Sequence, residues 1–278
     1  MPPEKQPPGL YYDPQFLYGE ERPAILRWLQ DLHPIWENRF SKNHPPPPGK
    51  QARPLLRPVY WLGNWQFACL GYYHPPRGTK NRCVEAEPFP DALRGVVARI
   101  EKIVASRFPR EFVPAGWHLN TCLVNLYGGR VLDGKHIDTA RVGEHKDFEP
   151  GPVASVSLGE RALFQFVASQ GKGHPSRVVL QQWLEDSSLQ IFAGPAFKER
   201  YFHRVQRVEK KRGENFHFPV EGFETRRVNF TFRYVPDRDI LPYAKLPAPD
   251  AEDVQPYMQQ LARHSAFFEQ ALLARKGS

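Results

Sequence analysis

Residues 145 to 147 read His-Lys-Asp and stand just before an apolar run, Val153 to Leu158, that alternates as a β-strand does. At an extended strand end, side chains at positions i and i+2 point to the same side, so His145 and Asp147 could reach one metal ion. A non-haem Fe(II) oxygenase needs two imidazoles and one carboxylate on one face of the metal. The candidate for the third ligand is His203, which opens a β-like run after a Gly-Pro turn.

A second His-x-Asp pair, His136 and Asp138, lies a few residues upstream. The same argument about strand geometry applies to it. The residues alone therefore leave two alternatives for the first two ligands.

The segment RVNFTFR, residues 227 to 233, places polar and apolar side chains in strict alternation. Burying two arginines that face inward from one strand is energetically costly unless an anion pairs with them. A dicarboxylate is suitable because a guanidinium binds a carboxylate as a bidentate fork. The inward-facing set is Arg227, Asn229, Thr231 and Arg233. An amphipathic edge strand with a wet, basic face is the alternative interpretation.

These residues must be positioned by strands, and the sequence predicts many of them. Between Trp117 and Val235 short β-rich runs follow one another, separated by turn-like stretches, as in a sandwich or double-sheet barrel. Helical spacing predicts one helix from Glu20 to about Trp36, a second capped by Asp91, and a C-terminal helix. A Gly63-Asn64 turn predicts a hairpin, and residues 1–15 are expected to be irregular. These elements predict helices flanking one β-sandwich core.

Composition limits the class of protein. The chain has 278 residues and a formal charge of +8, which favours a polyanionic partner. Three scattered cysteines argue against a disulfide framework and a zinc-thiolate site. No apolar run approaches the roughly 18 residues that span a bilayer. We expect a monomer in the cytoplasm, or in the nucleus if the source is eukaryotic.

Together these motifs resemble the AlkB family of Fe(II)- and 2-oxoglutarate-dependent dioxygenases. The matching segments are NLY at 125–127, GEHKD at 143–147, PVASVSLG at 152–159, His203 and RVNFTFR. The resemblance implies an α+β fold with a double-stranded β-helix (jelly-roll) core and flanking helices. The core would span 117–235, after N-terminal helices and an aromatic nucleotide-recognition lid (1–116) and before a C-terminal connector and helix (236–278).

The resemblance also implies roles for individual residues. The iron ligands would be His145, Asp147 and His203. The 2-oxoglutarate site would comprise Asn125, Tyr127, Arg227, Asn229, Thr231 and Arg233, with the two arginines each taking one carboxylate. The substrate-binding residues would be Tyr60 or Trp61, as a lid that stacks on the damaged base, and Glu149, at the base edge. Apart from the resemblance, the basic residues Lys210, Lys211, Arg212 and Arg226 could contact phosphates.

One spacing departs from the family pattern. The family has about a dozen residues between the Asn of N-x-Y and the metal-binding His, which favours His136 over His145. The local form, apolar-Gly-x-His-x-Asp, favours His145 and Asp147. Choosing His145 implies an enlarged loop at 128–140, of the kind that tolerates insertions. The family comparison favours His145 and keeps His136 as the alternative.

The reaction that the resemblance implies consumes 2-oxoglutarate and O2 at Fe(II) and releases succinate and CO2. It hydroxylates an N-methyl group of a base such as 1-methyladenine or 3-methylcytosine in DNA or RNA, and formaldehyde leaves. Two alternatives remain: a 2-oxoglutarate dioxygenase acting on a protein side chain or small molecule, and a non-catalytic nucleic-acid-binding module.

Overall fold

A computed structural model describes residues 6–51, 54–72, 82–132, 134–171, 173–206, 216, 218 and 220–277. Within these ranges the helices are α1 (Glu21–Gln30), α2 (Asp91–Arg107), α3 (Ala248–Ala262) and α4 (Ala266–Lys276). The strands are β1 (Leu10–Asp13), β2 (Val59–Leu62), β3 (Asn64–Trp65), β4 (Cys83–Glu85), β5 (Thr121–Leu132), β6 (Lys135–Asp138), β7 (Val142–His145), β8 (Val153–Gly159), β9 (Ala162–Ala168), β10 (Arg177–Leu184), β11 (Ser188–Phe192), β12 (Phe202–Gln206), β13 (Phe223–Arg233) and β14 (Ile240–Leu241).

Two antiparallel sheets form the core. The large sheet has the order β1-β11-β8-β13-β5-β2, and β6 adds to β5. The small sheet has the order β10-β9-β12-β7. Strands that are neighbours in a sheet are distant in sequence, as in a jelly roll. The predicted α+β fold, a double-stranded β-helix core with flanking helices, is confirmed.

The large sheet is covered on both faces. Towards the helices its strands bury Val156, Val228, Phe230 and Phe232 in a cluster that includes residues of α1 and α2. Towards the small sheet a second apolar cluster includes Val153, Phe164, Phe166 and Phe192. Burial on both sides holds the long strand β13 rigidly, and its polar face is turned to the space between the sheets.

Three predicted elements differ in the structure. The 128–140 segment is a β-hairpin of β5 and β6 rather than a loop, with Arg130 opposite Ile137. Gly63 turns the chain with φ +78°, but β2 and β3 do not form a hairpin, since β2 pairs with β5 and β3 with β4. The predicted irregular N-terminus contains β1, which pairs with β11.

The helix ends were also predicted imperfectly. The first helix ends at Gln30 rather than near Trp36. The second begins at Asp91 with Pro90 as its N-cap, so Asp91 lies in the first turn. The C-terminal helix is two helices, because Ser265 caps α4 by accepting from the backbone N–H of Phe268. No helix in the described ranges is long and apolar enough to cross a membrane.

Candidate active site

The two sheets bring His145, Asp147 and His203 together. His203 on β12 is directly opposite His145 on β7, so both side chains leave the small sheet on one face. One ligand-type atom from each of the three residues lies within 4.8 Å of the others. Two imidazoles and one carboxylate on one side of a cavity are a set that can hold a divalent metal ion.

The histidines are prepared for metal binding by their neighbours. His145 Nδ1 lies 2.8 Å from the carbonyl oxygen of Gly143, which assigns the proton to Nδ1 and leaves Nε2 as the ligand atom. Loss of water around the ring, followed by the nearby His203, lowers the pKa of His145 to about 3. A neutral imidazole at pH 7 is the form that ligates a metal. His203 is held by stacking on Phe164, with ring centroids 5.4 Å apart.

Asp147 is buried and charged. Burial raises the pKa of this carboxyl, but Arg233, His203 and Lys198 together outweigh it, and the pKa lies well below its usual range. Arg233 donates from Nε to Asp147 Oδ1 at 2.9 Å, and its Nη2 forms an ion pair with the same oxygen at 2.7 Å. Asp147 Oδ2 lies 3.3 Å from His203 Nε2. The carboxylate is therefore ionised and fixed in direction.

The carboxylate of the rival pair is occupied elsewhere. His136 and Asp138 lie on β6, in the hairpin beyond the cavity. Asp138 accepts from Arg226 Nη2 at 3.1 Å, and its side chain is 1% exposed. Arg226 also contacts Glu160 at 3.3 Å and Glu224 at 3.6 Å. The Asp138 carboxylate thus serves an ion-pair network that attaches the hairpin to β13.

The polar face of β13 meets a row of serines on β8. Asn229 donates to Ser155 Oγ at 2.7 Å, and Arg227 Nη2 donates to Ser157 Oγ at 3.0 Å. Thr231 donates to the side-chain oxygen of Asn229 at 2.8 Å. All four predicted residues of this face line one cavity.

Asn125 and Tyr127 line the same cavity from β5. Both are buried, and register places Tyr127 opposite Arg227 and Asn125 opposite Asn229. Arg57, which the motifs did not indicate, donates from Nε to Asn125 Oδ1 at 2.8 Å. Only the antiparallel alignment of β2 with β5 could have revealed Arg57, and no local pattern does.

The cavity is wide, at about 1730 Å³. A site for one drug-sized ligand has a volume of about 300–1,000 Å³. Among the described residues that line it, eight are Arg or Lys and five are Asp or Glu. The cavity is therefore larger than one small dicarboxylate requires, and its described lining carries more basic than acidic side chains.

Tyr60 and Trp61 take a different position from the one predicted for them. Tyr60 is 4% exposed, and its hydroxyl donates to Glu87 at 2.6 Å on the helix side of the large sheet. Trp61 is 1% exposed and packs edge-on against Tyr72. Neither Tyr60 nor Trp61 lines the cavity, which speaks against a stacking role for either ring. Alternation along β2 turns Tyr60 away, and Tyr72 covers Trp61.

Other rings do reach the cavity. Tyr72 and Phe148 both line it and pack together, with ring centroids 5.5 Å apart. Glu149 lies beside them, 3.6 Å from Arg233 Nε, and neither of its carboxylate oxygens has a hydrogen-bond partner among the described residues. Burial raises the pKa of Glu149, although Arg233 opposes it. Of the basic residues predicted to contact phosphates, Lys210, Lys211 and Arg212 lie outside the described residues. Arg226 is buried and forms ion pairs with carboxylates instead, which speaks against a phosphate contact.

The sequence of residues 9–233 matches a family model described as the 2OG-Fe(II) oxygenase superfamily. The chain belongs to this superfamily. Membership implies Fe(II) as the metal cofactor and 2-oxoglutarate and O2 as co-substrates. This protein is therefore a 2-oxoglutarate dioxygenase.

Two solved structures are similar to this chain at low identity. OsALKBH1 has 19% sequence identity and a TM-score of 0.47, over 82% of this chain and 99% of that chain. YcfD, a ribosomal oxygenase from Escherichia coli in complex with cobalt and succinic acid, has 10% identity and a TM-score of 0.31, over 93% and 70% of the two chains. No curated protein matches the sequence.

The superfamily's reactants fit the residues that are present. The His145, Asp147 and His203 donors suit a divalent iron, and carboxylates suit the inward-facing arginines. Arg227 Nε and Arg233 Nη1 are buried and make no hydrogen bond with any residue in the described ranges. Buried donors without a partner are expected at a site that receives an anion.

Proposed function

We propose that this dioxygenase demethylates alkylated nucleobases, of the 1-methyladenine and 3-methylcytosine type, in DNA or RNA. The observation that carries the proposal is the cavity. It is far larger than a small dicarboxylate requires, and arginine and lysine outnumber acidic residues along its walls. A polyanionic substrate suits both properties.

Within this proposal His145, Asp147 and His203 hold the iron. When bound, Fe(II) with 2-oxoglutarate and O2 supplies the oxidising power for hydroxylation of an N-methyl group, and formaldehyde then leaves. Arg233 keeps Asp147 ionised and directed to the metal through its two donors. The Nδ1 proton of His145 is retained by Gly143, so the ring presents Nε2.

The co-substrate is held by the polar face of β13 and by β5. Arg227 and Arg233 supply guanidinium groups, and Asn125, Tyr127, Asn229 and Thr231 supply hydrogen bonds. The serines of β8 orient Arg227 and Asn229 before any ligand arrives. Such preorganisation lowers the entropic cost of binding.

A base must leave its stack to reach a buried metal, and damage to its pairing edge lowers that cost. Tyr72 and Phe148 offer ring faces at the cavity wall, and Glu149 offers a carboxyl group for the exocyclic amine of the base. Each base–aromatic stack contributes about 1–3 kcal/mol. These three residues form the proposed base-recognition set.

The test is turnover with purified protein, Fe(II) and 2-oxoglutarate. Oligonucleotides carrying 1-methyladenine or 3-methylcytosine should stimulate succinate release and yield formaldehyde in equal amount, while unmethylated oligonucleotides should not. Turnover that responds to small metabolites or peptides but not to methylated oligonucleotides would contradict the nucleic-acid substrate and indicate a metabolite or peptide instead. Absence of succinate under every condition would contradict catalysis itself.

A further inference from the structure

Tyr127 lies between two guanidinium groups. The Arg57 guanidinium carbon is 4.9 Å from the centroid of the Tyr127 ring, and that of Arg227 is 4.8 Å from the same centroid. Both arginines line the cavity, and Arg57 is the more exposed of the two. Two guanidinium groups therefore lie over one aromatic ring.

Strand register explains the arrangement. Tyr127 on β5 is directly opposite Arg227 on β13. On the other side of β5, Val59 is opposite Asn125, and Leu126 N–H donates to the carbonyl of Pro58 at 3.2 Å. Two residues before Val59 the chain therefore runs alongside Tyr127, and Arg57 faces the same side. Three adjacent segments of backbone hold the cations and the ring in a row.

Both positive charges donate to neutral groups. Arg57 donates to the neutral amide of Asn125, and Arg227 donates to the neutral hydroxyl of Ser157. In the part of the chain that the structure describes, neither guanidinium has a carboxylate within ion-pair distance. Burial lowers the pKa of Arg227, Tyr127 opposes this, the charge of Arg57 lowers it further, and Glu160, beyond ion-pair distance, raises it least. Two like charges on one ring are stabilised when an anion joins them.

We propose that Arg57 is a further co-substrate-binding residue, which holds the distal carboxylate of 2-oxoglutarate together with Arg227. This rests on the co-substrate site proposed above and adds a residue that lies outside the R-x-N-x-T-x-R strand. One carboxylate can accept hydrogen bonds from both guanidinium groups at once. If it bound Arg227 alone, Arg57 would remain without an anionic partner.

The contact with Asn125 supports the same role. Arg57 occupies the side-chain oxygen of Asn125, so the amide presents its Nδ2 donors to the cavity. A carboxylate accepts from donors only, and Arg57 thus gives Asn125 the orientation that an anionic ligand requires. A phosphate of a nucleic-acid substrate is the other anion with this chemistry.

The experiment measures binding by calorimetry with the Mn(II)-loaded protein in the absence of O2. Arg57→Met should raise the Kd for 2-oxoglutarate about tenfold or more, the range expected when a hydrogen bond to a charged group is lost. The second ligand is 2-oxopentanoate, which has a methyl group in place of the distal carboxylate. Its Kd should not change, because Arg57 has no partner on it.

Arg161→Met is the matched control. Arg161 also lies over an aromatic ring, Trp183, at 4.2 Å, but it does not line the cavity. The Arg161→Met variant removes the same charge as Arg57→Met and should leave the Kd for 2-oxoglutarate unchanged. An Arg57→Lys variant should lie between wild type and Arg57→Met, since it keeps the charge but not the fork.

Three results would overturn the inference. Equal weakening of 2-oxoglutarate and 2-oxopentanoate would mean that Arg57 acts only by supporting Asn125 and Tyr127. Unchanged 2-oxoglutarate binding with weaker binding of a single-stranded oligonucleotide would assign Arg57 to substrate phosphate. Absence of 2-oxoglutarate binding in the wild type would remove the site itself. Demethylation has no part in these measurements, so failure of the nucleic-acid substrate would leave the inference standing.

Discussion

The rings of His145 and His203 meet edge-on across the β7–β12 pairing, with centroids 4.2 Å apart and an interplanar angle of 61°. Fifty-eight positions separate the two residues in sequence, so their contact is a product of the sheet. Asp147 lies beside them because it follows β7 by two residues. The geometry of the proposed metal centre therefore depends on one strand pair.

Histidine substitutions test the ligand assignment. His145→Ala and His203→Ala should each abolish Co(II) binding and succinate release, because two donors cannot hold the metal in place. His136→Ala is the control and should keep both, since His136 lies on the hairpin. Absorption titration with Co(II) measures binding directly. Loss of metal binding in His136→Ala alone would transfer the site to the upstream pair.

Removal of Arg233 should destabilise the protein. In Arg233→Met the Asp147 carboxylate stays buried without its two donors, and breaking a buried ion pair costs about 3–5 kcal/mol. Urea unfolding in the presence of a chelator measures this free energy. The control is Arg204→Met, whose partner Glu144 is more exposed and whose loss should cost about 1 kcal/mol or less. Equal costs for the two variants would contradict the buried pair.

Glu37 should make stability depend on pH. Burial raises its pKa from 4.5 to about 7, although hydrogen bonds from Ala68 N–H and Trp65 Nε1 oppose the rise. Between these values the folded protein keeps a proton that the unfolded chain has released. The free energy of unfolding should therefore fall by about 3 kcal/mol from pH 4.5 to pH 7 on this account.

Urea titrations across this pH range measure the effect by difference. Glu37→Gln should remove the contribution, because the amide does not titrate. Glu20→Gln alters a side chain that is 88% exposed and should leave the slope unchanged. A slope that survives in Glu37→Gln would assign the pH dependence to other groups.

Tyr60 and Tyr72 should behave differently when changed. Tyr60→Phe removes the hydroxyl that donates to Glu87 and should cost about 1–3 kcal/mol of stability without weakening oligonucleotide binding. Tyr72→Leu should weaken binding of a methylated oligonucleotide by about 1–3 kcal/mol, since Tyr72 lines the cavity. Fluorescence anisotropy provides both affinities. Weaker oligonucleotide binding by the Tyr60→Phe variant would indicate that Tyr60 belongs to the substrate site.

The sequence by itself determined the features that depend on local periodicity. The alternation along β13 predicted a polar face with Arg227 and Arg233 and an apolar face with Phe230, because side chains of a strand alternate whatever it pairs with. The residue types of the H-x-D pair and the later histidine indicated a non-haem iron site. The short strands predicted a sandwich or double-sheet barrel, and the resemblance to a known family implied the jelly-roll core.

The tertiary structure decided what depends on register between distant segments. It brought His203 to His145, paired Asp138 with Arg226, turned Tyr60 from the cavity and set Arg57 beside Tyr127. A shift of one residue in strand register moves every side chain to the other face, and no local pattern specifies that register. Which polar residues share a site is therefore a property of the folded sheets.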